Sequence, residues 1–202
     1  YIMKRKIYDS MRKWKEENGR TALLIDGARR VGKSYIAQEF AKKEYKSYIL
    51  IDFNRAPAEI TDLFVHYLND LNMFFLYLSN FYGVKLYERE SLIIFDEVQL
   101  FPKARAAIKY LVEDGRYDYV ETGSLMTIKK NVADIVIPSE ERHMKMYPLD
   151  FEEFLWANGI NEAIIDSLQS CLINEKPVPS ALHNRMQELL LQYAVVGGMP
   201  AA

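Results

Sequence analysis

Short, continuously apolar runs alternate along most of the chain with stretches in which apolar residues recur every three or four positions. The first pattern is typical of strands buried on both faces, and the second of helices with one buried face. Strands are predicted at about 21–26, 47–53, 91–97 and 117–121, with a fifth, weaker strand at 142–146.

Helices are predicted between these strands and again after the last of them. They lie at about 1–18, from the end of the first loop to 44, and at 57–81, 104–113, 150–157, 161–174 and 179–194. This order predicts an α/β fold with a five-stranded, mainly parallel sheet and helices on both faces, followed by a small helical region. We expect a first domain over 1–148 with a leading helix, and a helical region over 149–202.

The loop between the first strand and the next helix reads GARRVGKS and matches G-x-x-x-x-G-K-[ST], the P-loop pattern of nucleotide-binding proteins. Its glycines let backbone N–H groups converge on phosphate oxygens in front of the positive end of the helix. Lys33 supplies a charge for the β- and γ-phosphates, and the Ser34 hydroxyl is a ligand for Mg²⁺. A plain glycine-containing turn is the alternative. The predicted nucleotide-binding residues are Gly27, Ala28, Arg29, Arg30, Val31, Gly32, Lys33, Ser34 and Tyr35.

The strand predicted at 91–97 ends in two adjacent carboxylates, Asp96 and Glu97. In P-loop proteins an acidic residue at such a strand end serves Mg²⁺ from the side opposite the loop serine, and Asp96 fits that position. Glu97 is placed to orient and deprotonate an attacking water. A helix cap or a solvated turn is the alternative. Because parallel strands present their carboxyl ends at one edge, we expect the loop, both carboxylates and Thr122 to meet there.

The charge of the chain is small but unevenly placed. The 202 residues carry a net charge of −2, so bulk charge does not indicate nucleic-acid binding. Residues 1–30 hold nine Lys or Arg against four Asp or Glu, whereas residues 139–176 hold eight acids against three bases. The basic start is interpreted as the solvated face of an amphipathic helix with Met11 and Trp14 inward. An acidic partner, a phosphate or a nucleic acid is the alternative.

The cysteine content and the hydropathy of the chain indicate the compartment in which it works. Cys171 is the single cysteine, so a disulfide framework is excluded, and the three histidines show no metal-ligand spacing. No apolar run approaches the length that crosses a bilayer and no signal peptide is recognised, so we expect a cytoplasmic protein without a membrane partner. The start at Tyr1 and the turn-like ending at 197–202 predict a piece of a longer polypeptide.

Four motifs occur in a characteristic order: GARRVGKS at 27–34, DEVQ at 96–99, TGS at 122–124 and YPLDFEEFL at 147–155. With them the chain resembles the large prokaryotic family of AAA+-like ATPases whose members carry a C-terminal domain of unknown function with a nuclease-like fold. The last motif is the specific one, because many ATPases share the first two. The ending VVGGMP resembles the start of that C-terminal domain, which would be almost entirely missing here.

The resemblance implies ATP and Mg²⁺ as cofactors and assigns roles to residues of this chain. Lys33 and Glu97 would be catalytic, the lysine on the β- and γ-phosphates and the glutamate as base. Ser34 and Asp96 would serve Mg²⁺.

The resemblance also implies a polar sensor of the γ-phosphate, either Thr122 or Ser124. Gln99 matches a family residue for which no role follows. Relatives place Gly-Arg shortly before the YPL phrase, whereas this chain has Glu-Glu-Arg ending at Arg142, so no nucleotide-sensing arginine is assigned.

The function expected from these residues is Mg²⁺-dependent ATP hydrolysis coupled to a conformational change. The adjacent Asp-Glu pair supports it, because a hydrolase needs the second carboxylate and a mere binder can lack it. A nucleotide-gated switch or scaffold with negligible turnover is the alternative, and a small kinase with the same loop is a third candidate. The candidate partners are a second copy of the chain or another protein. Nucleic acid is a candidate partner only through the absent C-terminal domain.

Overall fold

The computed structural model describes residues 3–124 and 139–200. The first two residues of the predicted leading helix and the last two of the predicted ending lie outside this range. The helices are α1 (Ile7–Lys15), α2 (Lys33–Glu44), α3 (Ala58–His66), α4 (Leu71–Tyr82), α5 (Pro102–Asp114), α6 (Phe151–Ala157), α7 (Glu162–Ile173) and α8 (Ser180–Val196). The strands are β1 (Ala22–Asp26), β2 (Ser47–Asp52), β3 (Ser91–Asp96), β4 (Asp118–Gly123) and β5 (Glu141–Lys145), and a 3₁₀ turn covers Val98–Leu100.

The five strands form one sheet in the order β2-β3-β4-β1-β5, and every neighbouring pair is parallel. The α/β fold with a five-stranded sheet and helices is therefore confirmed, and the predicted mainly parallel sheet is parallel throughout. In this order β4 separates β1 from β3. The end of β4 consequently lies between the loop after β1 and the carboxylates after β3.

Each face of the sheet is covered by its own set of apolar helices. On one face α1 and α2 contribute Met11, Trp14 and Phe40, which pack with alternate residues of the central strands such as Leu23 and Ile94. On the other face α3, α4 and α5 pack over the remaining alternate positions. Both faces of the central strands are buried, which explains their continuously apolar sequences.

Two predicted helices differ in extent from those observed. The single helical stretch predicted from 57 to 81 is wrong, because α3 ends at His66 and α4 begins at Leu71. Asp70 is the N-cap of α4 and accepts a hydrogen bond from the Met73 N–H, an interaction that favours a new helix start over a continued helix. The leading helix is shorter than predicted at both ends, and the left-handed Asn18 follows it.

The chain divides into two compact units, one of Ile7–Met146 and one that joins the first six residues to Tyr147–Ala202. The first unit holds the sheet. In the second unit, α6, α7 and α8 pack around Leu155, Ile165 and Leu189. Within the described residues, none of the helices combines the length and apolarity required of a transmembrane span.

The specific motif YPLDFEEFL has a structural explanation inside the second unit. Asp150 caps α6 and forms a capping box with Glu153. Glu153 is 5% exposed and also accepts hydrogen bonds from Arg5 Nε at 3.2 Å and from the Lys6 N–H at 2.8 Å. Lys6 Nζ further pairs with Asp150 and Glu152. The first basic residues and the acidic segment after 147 therefore pair with each other, which accounts for part of both local charge excesses.

Candidate nucleotide site

The loop between β1 and α2 owes its shape to backbone conformations and close approaches that glycine allows. A Cβ on Gly27 would lie 2.2 Å from the Met146 carbonyl oxygen, so a larger residue cannot occupy this position without a backbone shift. Arg30 and Gly32 have φ values of 65° and 96°. Gly32 is the N-cap of α2, and no side chain among the described residues caps that end. The first N–H groups of α2 thus remain able to bind an anion.

Lys33 begins α2 and folds back over this loop. Its Nζ donates to the Ala28 carbonyl oxygen at 2.7 Å and to the Gly27 carbonyl oxygen at 3.1 Å, and the residue is only 5% exposed. Burial lowers the pKa of the Lys33 ammonium, while nearby carboxylates, first Glu97 and then Asp96, act in the opposite direction. The ammonium is therefore poorly solvated and ready to exchange its carbonyl contacts for a stronger, anionic partner.

One carboxylate oxygen joins three elements of the site. Asp96 Oδ1, at the end of β3, accepts the Ser34 hydroxyl of α2 at 2.6 Å and the Thr122 hydroxyl of β4 at 2.6 Å. Thr122 Oγ1 in turn accepts a hydrogen bond from the Glu97 N–H at 3.1 Å. Thr122 is fully buried, so its hydroxyl is held by these partners rather than by solvent. We call these four residues the Asp96 junction.

The Asp96 junction offers oxygen ligands to a divalent cation. Hydroxyl and carboxylate oxygens are the donors that Mg²⁺ prefers, usually together with water and substrate phosphates. Ser34 and Asp96 are the residues of this chain that fit such a cation. In the part of the chain that the structure describes, no group of three or more His, Cys, Asp or Glu side chains forms a self-sufficient metal site.

Glu97 follows Asp96 in an unusual backbone conformation. Its φ of 55° and ψ of 46° lie in the left-handed region, after which Val98–Leu100 forms the 3₁₀ turn. The turn brings Gln99 back toward the carboxylate, and Gln99 Nε2 donates a hydrogen bond to Glu97 Oε2. Gln99, for which the sequence indicated no role, is thus in direct contact with the predicted base.

The other predicted nucleotide-binding residues differ in exposure. Ala28, Arg29 and Arg30 are exposed on the loop, and Tyr35 is 40% exposed on α2. The Val31 side chain is fully buried in the core beneath the loop.

The two sensor candidates differ in position, and the doubtful arginine has another partner. Thr122 belongs to the Asp96 junction, whereas Ser124 follows the end of β4 and is half-buried. The Arg142 side chain pairs with Glu17.

A second charged cluster, which sequence reasoning missed, lies between the sheet and α5. Glu141 of β5 accepts both ends of the Arg105 guanidinium, at 2.9 Å and 2.6 Å, and its Oε1 lies 2.6 Å from His143 Nε2. Glu121 of β4 is fully buried beside it. The available signal was a carboxylate, Glu121, at the end of the strand predicted at 117–121, directly after the apolar pair Tyr119-Val120.

The two carboxyls of this cluster are shifted in opposite directions. Burial raises the pKa of Glu121 well above its usual range, and the charge of Glu141 raises it further. Burial acts to raise the pKa of Glu141 as well, but hydrogen bonds from Arg105 and Glu121, together with the charges of Arg105 and His143, outweigh it, and the net pKa is lowered. Burial thus favours the neutral form of Glu121, whereas Arg105 favours the charged form of Glu141.

Known proteins resemble this chain in sequence and in fold. An uncharacterized protein of Methanocaldococcus jannaschii is 22% identical over 200 residues, which cover 94% of this chain and 40% of that protein. The solved structure of the Walker-type ATPase of Pyrococcus abyssi is 18% identical with a TM-score of 0.52, over 98% of this chain and 65% of that one. The chain therefore spans less than two thirds of either relative, and the likeness to the solved structure shows the fold.

A family model described as an AAA domain matches residues 19–155, which is more than half of the chain. The match runs from just before β1 into α6 and so includes the P-loop, the Asp96 junction and Gln99. The chain belongs to the AAA-domain family of P-loop ATPases.

Proposed function

We propose that this chain binds ATP with Mg²⁺ and hydrolyses the bond between the β- and γ-phosphates, with hydrolysis coupled to a conformational change. The observation that carries the proposal is the Asp96 junction beside Lys33: the Ser34 hydroxyl lies 2.6 Å from Asp96 Oδ1, and Glu97 is the next residue along the chain. A cation ligand pair, a phosphate-binding ammonium and a base are thus gathered at one edge of the sheet.

Phosphate binding is assigned to the loop and to the start of α2. The uncapped N–H groups of α2 and the Lys33 ammonium supply the positive field that the β- and γ-phosphates require. Lys33 would leave the Gly27 and Ala28 carbonyl oxygens and bind the phosphates instead. Ser34 and Asp96 would hold Mg²⁺ from opposite sides, and the cation would neutralise charge on the same phosphates.

The hydrolytic step is assigned to Glu97. Its carboxylate would orient a water and take its proton while the water oxygen forms a bond to the γ-phosphorus. The bond from that phosphorus to the bridging oxygen breaks, which releases ADP and inorganic phosphate. The Glu97 charge raises the pKa of Lys33 more than the charges of Asp96 and Asp26 do, which supports a position near the phosphate site.

The Asp96 junction supports the proposed coupling. Thr122 is hydrogen-bonded both to Asp96 and to the backbone of Glu97, so the ends of β3 and β4 are tied together at the proposed γ-phosphate position. A change in phosphate occupancy would alter these bonds and the relative positions of the strand ends. Thr122 is accordingly the proposed sensor, in preference to Ser124.

The proposal extends to the partners and the cellular location of the whole protein. This chain spans only part of the length of its relatives. Exposed Leu76, Tyr77 and Phe81 on α4 support self-association or a protein partner. Nucleic acid is proposed as a partner only through the C-terminal domain that the sequence resemblance implies, because the charge of this chain does not indicate it. We place the protein in the cytoplasm.

The proposal is tested by ATP binding and turnover of purified protein with Mg²⁺, beside Lys33→Ala and the control Lys42→Ala. Lys42 is an exposed lysine of the same helix, paired only at the surface with Glu39. Wild type and Lys42→Ala should bind and hydrolyse ATP, whereas Lys33→Ala should lose both. Binding without turnover in wild type would instead identify a nucleotide-gated switch, and the absence of binding would refute the site.

A further inference from the structure

Gln99 is a buried polar side chain directly beside the proposed base. It is 5% exposed and lies in the middle of the 3₁₀ turn that follows Glu97. Its Nε2 donates to Glu97 Oε2 across this turn, of which Glu97 is the N-cap. The contact therefore depends on the local backbone.

The backbone between the two residues is held by contacts on every side. Glu97 has a left-handed backbone conformation, and its N–H donates a hydrogen bond to the Thr122 hydroxyl. The Leu100 N–H donates to the Glu97 carbonyl oxygen at 2.9 Å, which closes the turn, and Val98 is fully buried. A glutamate in the left-handed conformation is strained, and such strain persists only where surrounding contacts enforce it. The direction from Gln99 to Glu97 is therefore fixed by the fold.

A general base needs one carboxylate oxygen directed at the water, but the terminal torsion of a glutamate is broad and nearly two-fold. A donor on Oε2 removes that freedom and leaves Oε1 as the oxygen directed to the water. An amide suits this task because it donates a hydrogen bond without carrying a charge, and it does not compete for the proton. We propose that Gln99 is a positioning residue that orients the Glu97 carboxylate for attack by water on ATP. This inference rests on the proposed role of Glu97.

The opposite role for the same hydrogen bond is to hold Glu97 away from the phosphates, but the surroundings favour the orienting role. The Glu97 N–H is bonded to the Thr122 hydroxyl, which also donates to Asp96, so the residue that Gln99 contacts is held at the Asp96 junction beside Lys33. Removal of an orienting contact slows hydrolysis, whereas removal of a restraint accelerates it. The two roles therefore predict opposite changes in turnover.

The test is Gln99→Met, which retains the length and approximate volume of the side chain and removes the donor. Leu100→Met is the matched control, because Leu100 lies on the same turn and is 50% exposed. We expect kcat of Gln99→Met to fall roughly 10- to 100-fold, as for a misplaced reacting group. ATP affinity should stay within about two-fold of wild type, which a general loss of structure would not allow. Leu100→Met should match wild type in both quantities.

A second comparison shows whether Gln99 acts through Glu97. In single-turnover assays with labelled ATP, Gln99→Met in a Glu97→Gln background should change the residual rate by no more than about two-fold. An equally large loss in that background would overturn the positioning role, as would a Gln99→Met kcat equal to or above that of Leu100→Met. If Glu97→Gln itself hydrolyses ATP as wild type does, the proposed function of Glu97 fails, and the role of Gln99 fails with it.

Discussion

At the scale of single residues, the Thr122 hydroxyl links the two carboxylate residues at the end of β3 to β4. It donates to Asp96 and accepts from the Glu97 N–H in a fully buried position. Replacement by valine retains the shape but leaves both partners without that hydroxyl. Thr122→Val should lower the free energy of unfolding by about 1–3 kcal/mol and slow ATP hydrolysis roughly ten-fold or more.

Thr122→Ser is the control for that prediction, because it restores the hydroxyl at the cost of one methyl group. Urea unfolding and ATP turnover of both variants provide the test. If the valine and serine variants are equally stable and equally active, the hydroxyl has no role in the Asp96 junction.

The buried Glu121 predicts a pH dependence of folding. Its pKa is raised by burial, so the stability it contributes is present below the unfolded-state pKa near 4.3 and is lost as pH rises through the folded-state value. Glutamine mimics the protonated form and cannot ionise. The free energy of unfolding of Glu121→Gln should therefore rise relative to wild type between pH 5 and 8, by up to about 1.4 kcal/mol per pH unit.

The measurement is urea unfolding across that pH range, with Glu113→Gln as control because Glu113 is exposed on α5. The control should follow wild type in parallel. A Glu121→Gln curve that is also parallel to wild type would show that Glu121 is ionised in the folded protein.

Residues of the site differ in how far the sequence could place them. Lys33 and Ser34 follow from a local motif, and Asp96 follows from the rule that parallel strands end at one edge. The Glu121 cluster could not be placed in this way, because Arg105 and Glu141 come from elements whose positions depend on strand order. Gln99 was visible in the sequence, but its contact requires the left-handed backbone of Glu97.

At the scale of elements, α6 is stabilised by its capping box and by Arg5. Glu153→Ala removes the capping contact and the buried ion pair with Arg5 Nε, whereas Arg5 Nη2 keeps its hydrogen bond to the Tyr147 carbonyl oxygen. We expect the free energy of unfolding to fall by about 3 kcal/mol, the range for a broken buried ion pair.

Trp156 in α6 can report this loss in a Trp14→Phe background, because the chain has two tryptophans. The control is Glu152→Ala, whose side chain is partly exposed and pairs with Lys6. Equal midpoints in urea for the two alanine variants would contradict the assignment of the capping box and ion pair as the main support of α6.

The elements most accurately predicted are the central strands and α2, whose apolar periodicity agrees with their burial. The break between α3 and α4 was missed because apolar positions recur at helical spacing on both sides of it, while the signal for the break is the single cap Asp70. The strand order could not be predicted, because the sequence of a continuously apolar strand does not indicate which strands lie next to it.

At the scale of the whole molecule, nucleotide binding should appear as folding stability. A ligand at 100 times its dissociation constant stabilises the folded state by about 2.7 kcal/mol if it does not bind the unfolded chain. We expect ATP with Mg²⁺ to raise the thermal midpoint of Glu97→Gln, a variant chosen so that ATP remains intact. Addition of Lys33→Ala should remove the shift, and an undiminished shift would place the nucleotide elsewhere.

The most direct measurement is steady-state ATP turnover by wild type beside Glu97→Gln, at ATP concentrations that saturate both proteins in a parallel binding assay. The account predicts that both bind ATP and that wild type hydrolyses it at least about 100-fold faster, as expected when a general base is removed. Equal rates in the two proteins would contradict the account, because the chain would then lack the base on which the proposed hydrolysis depends.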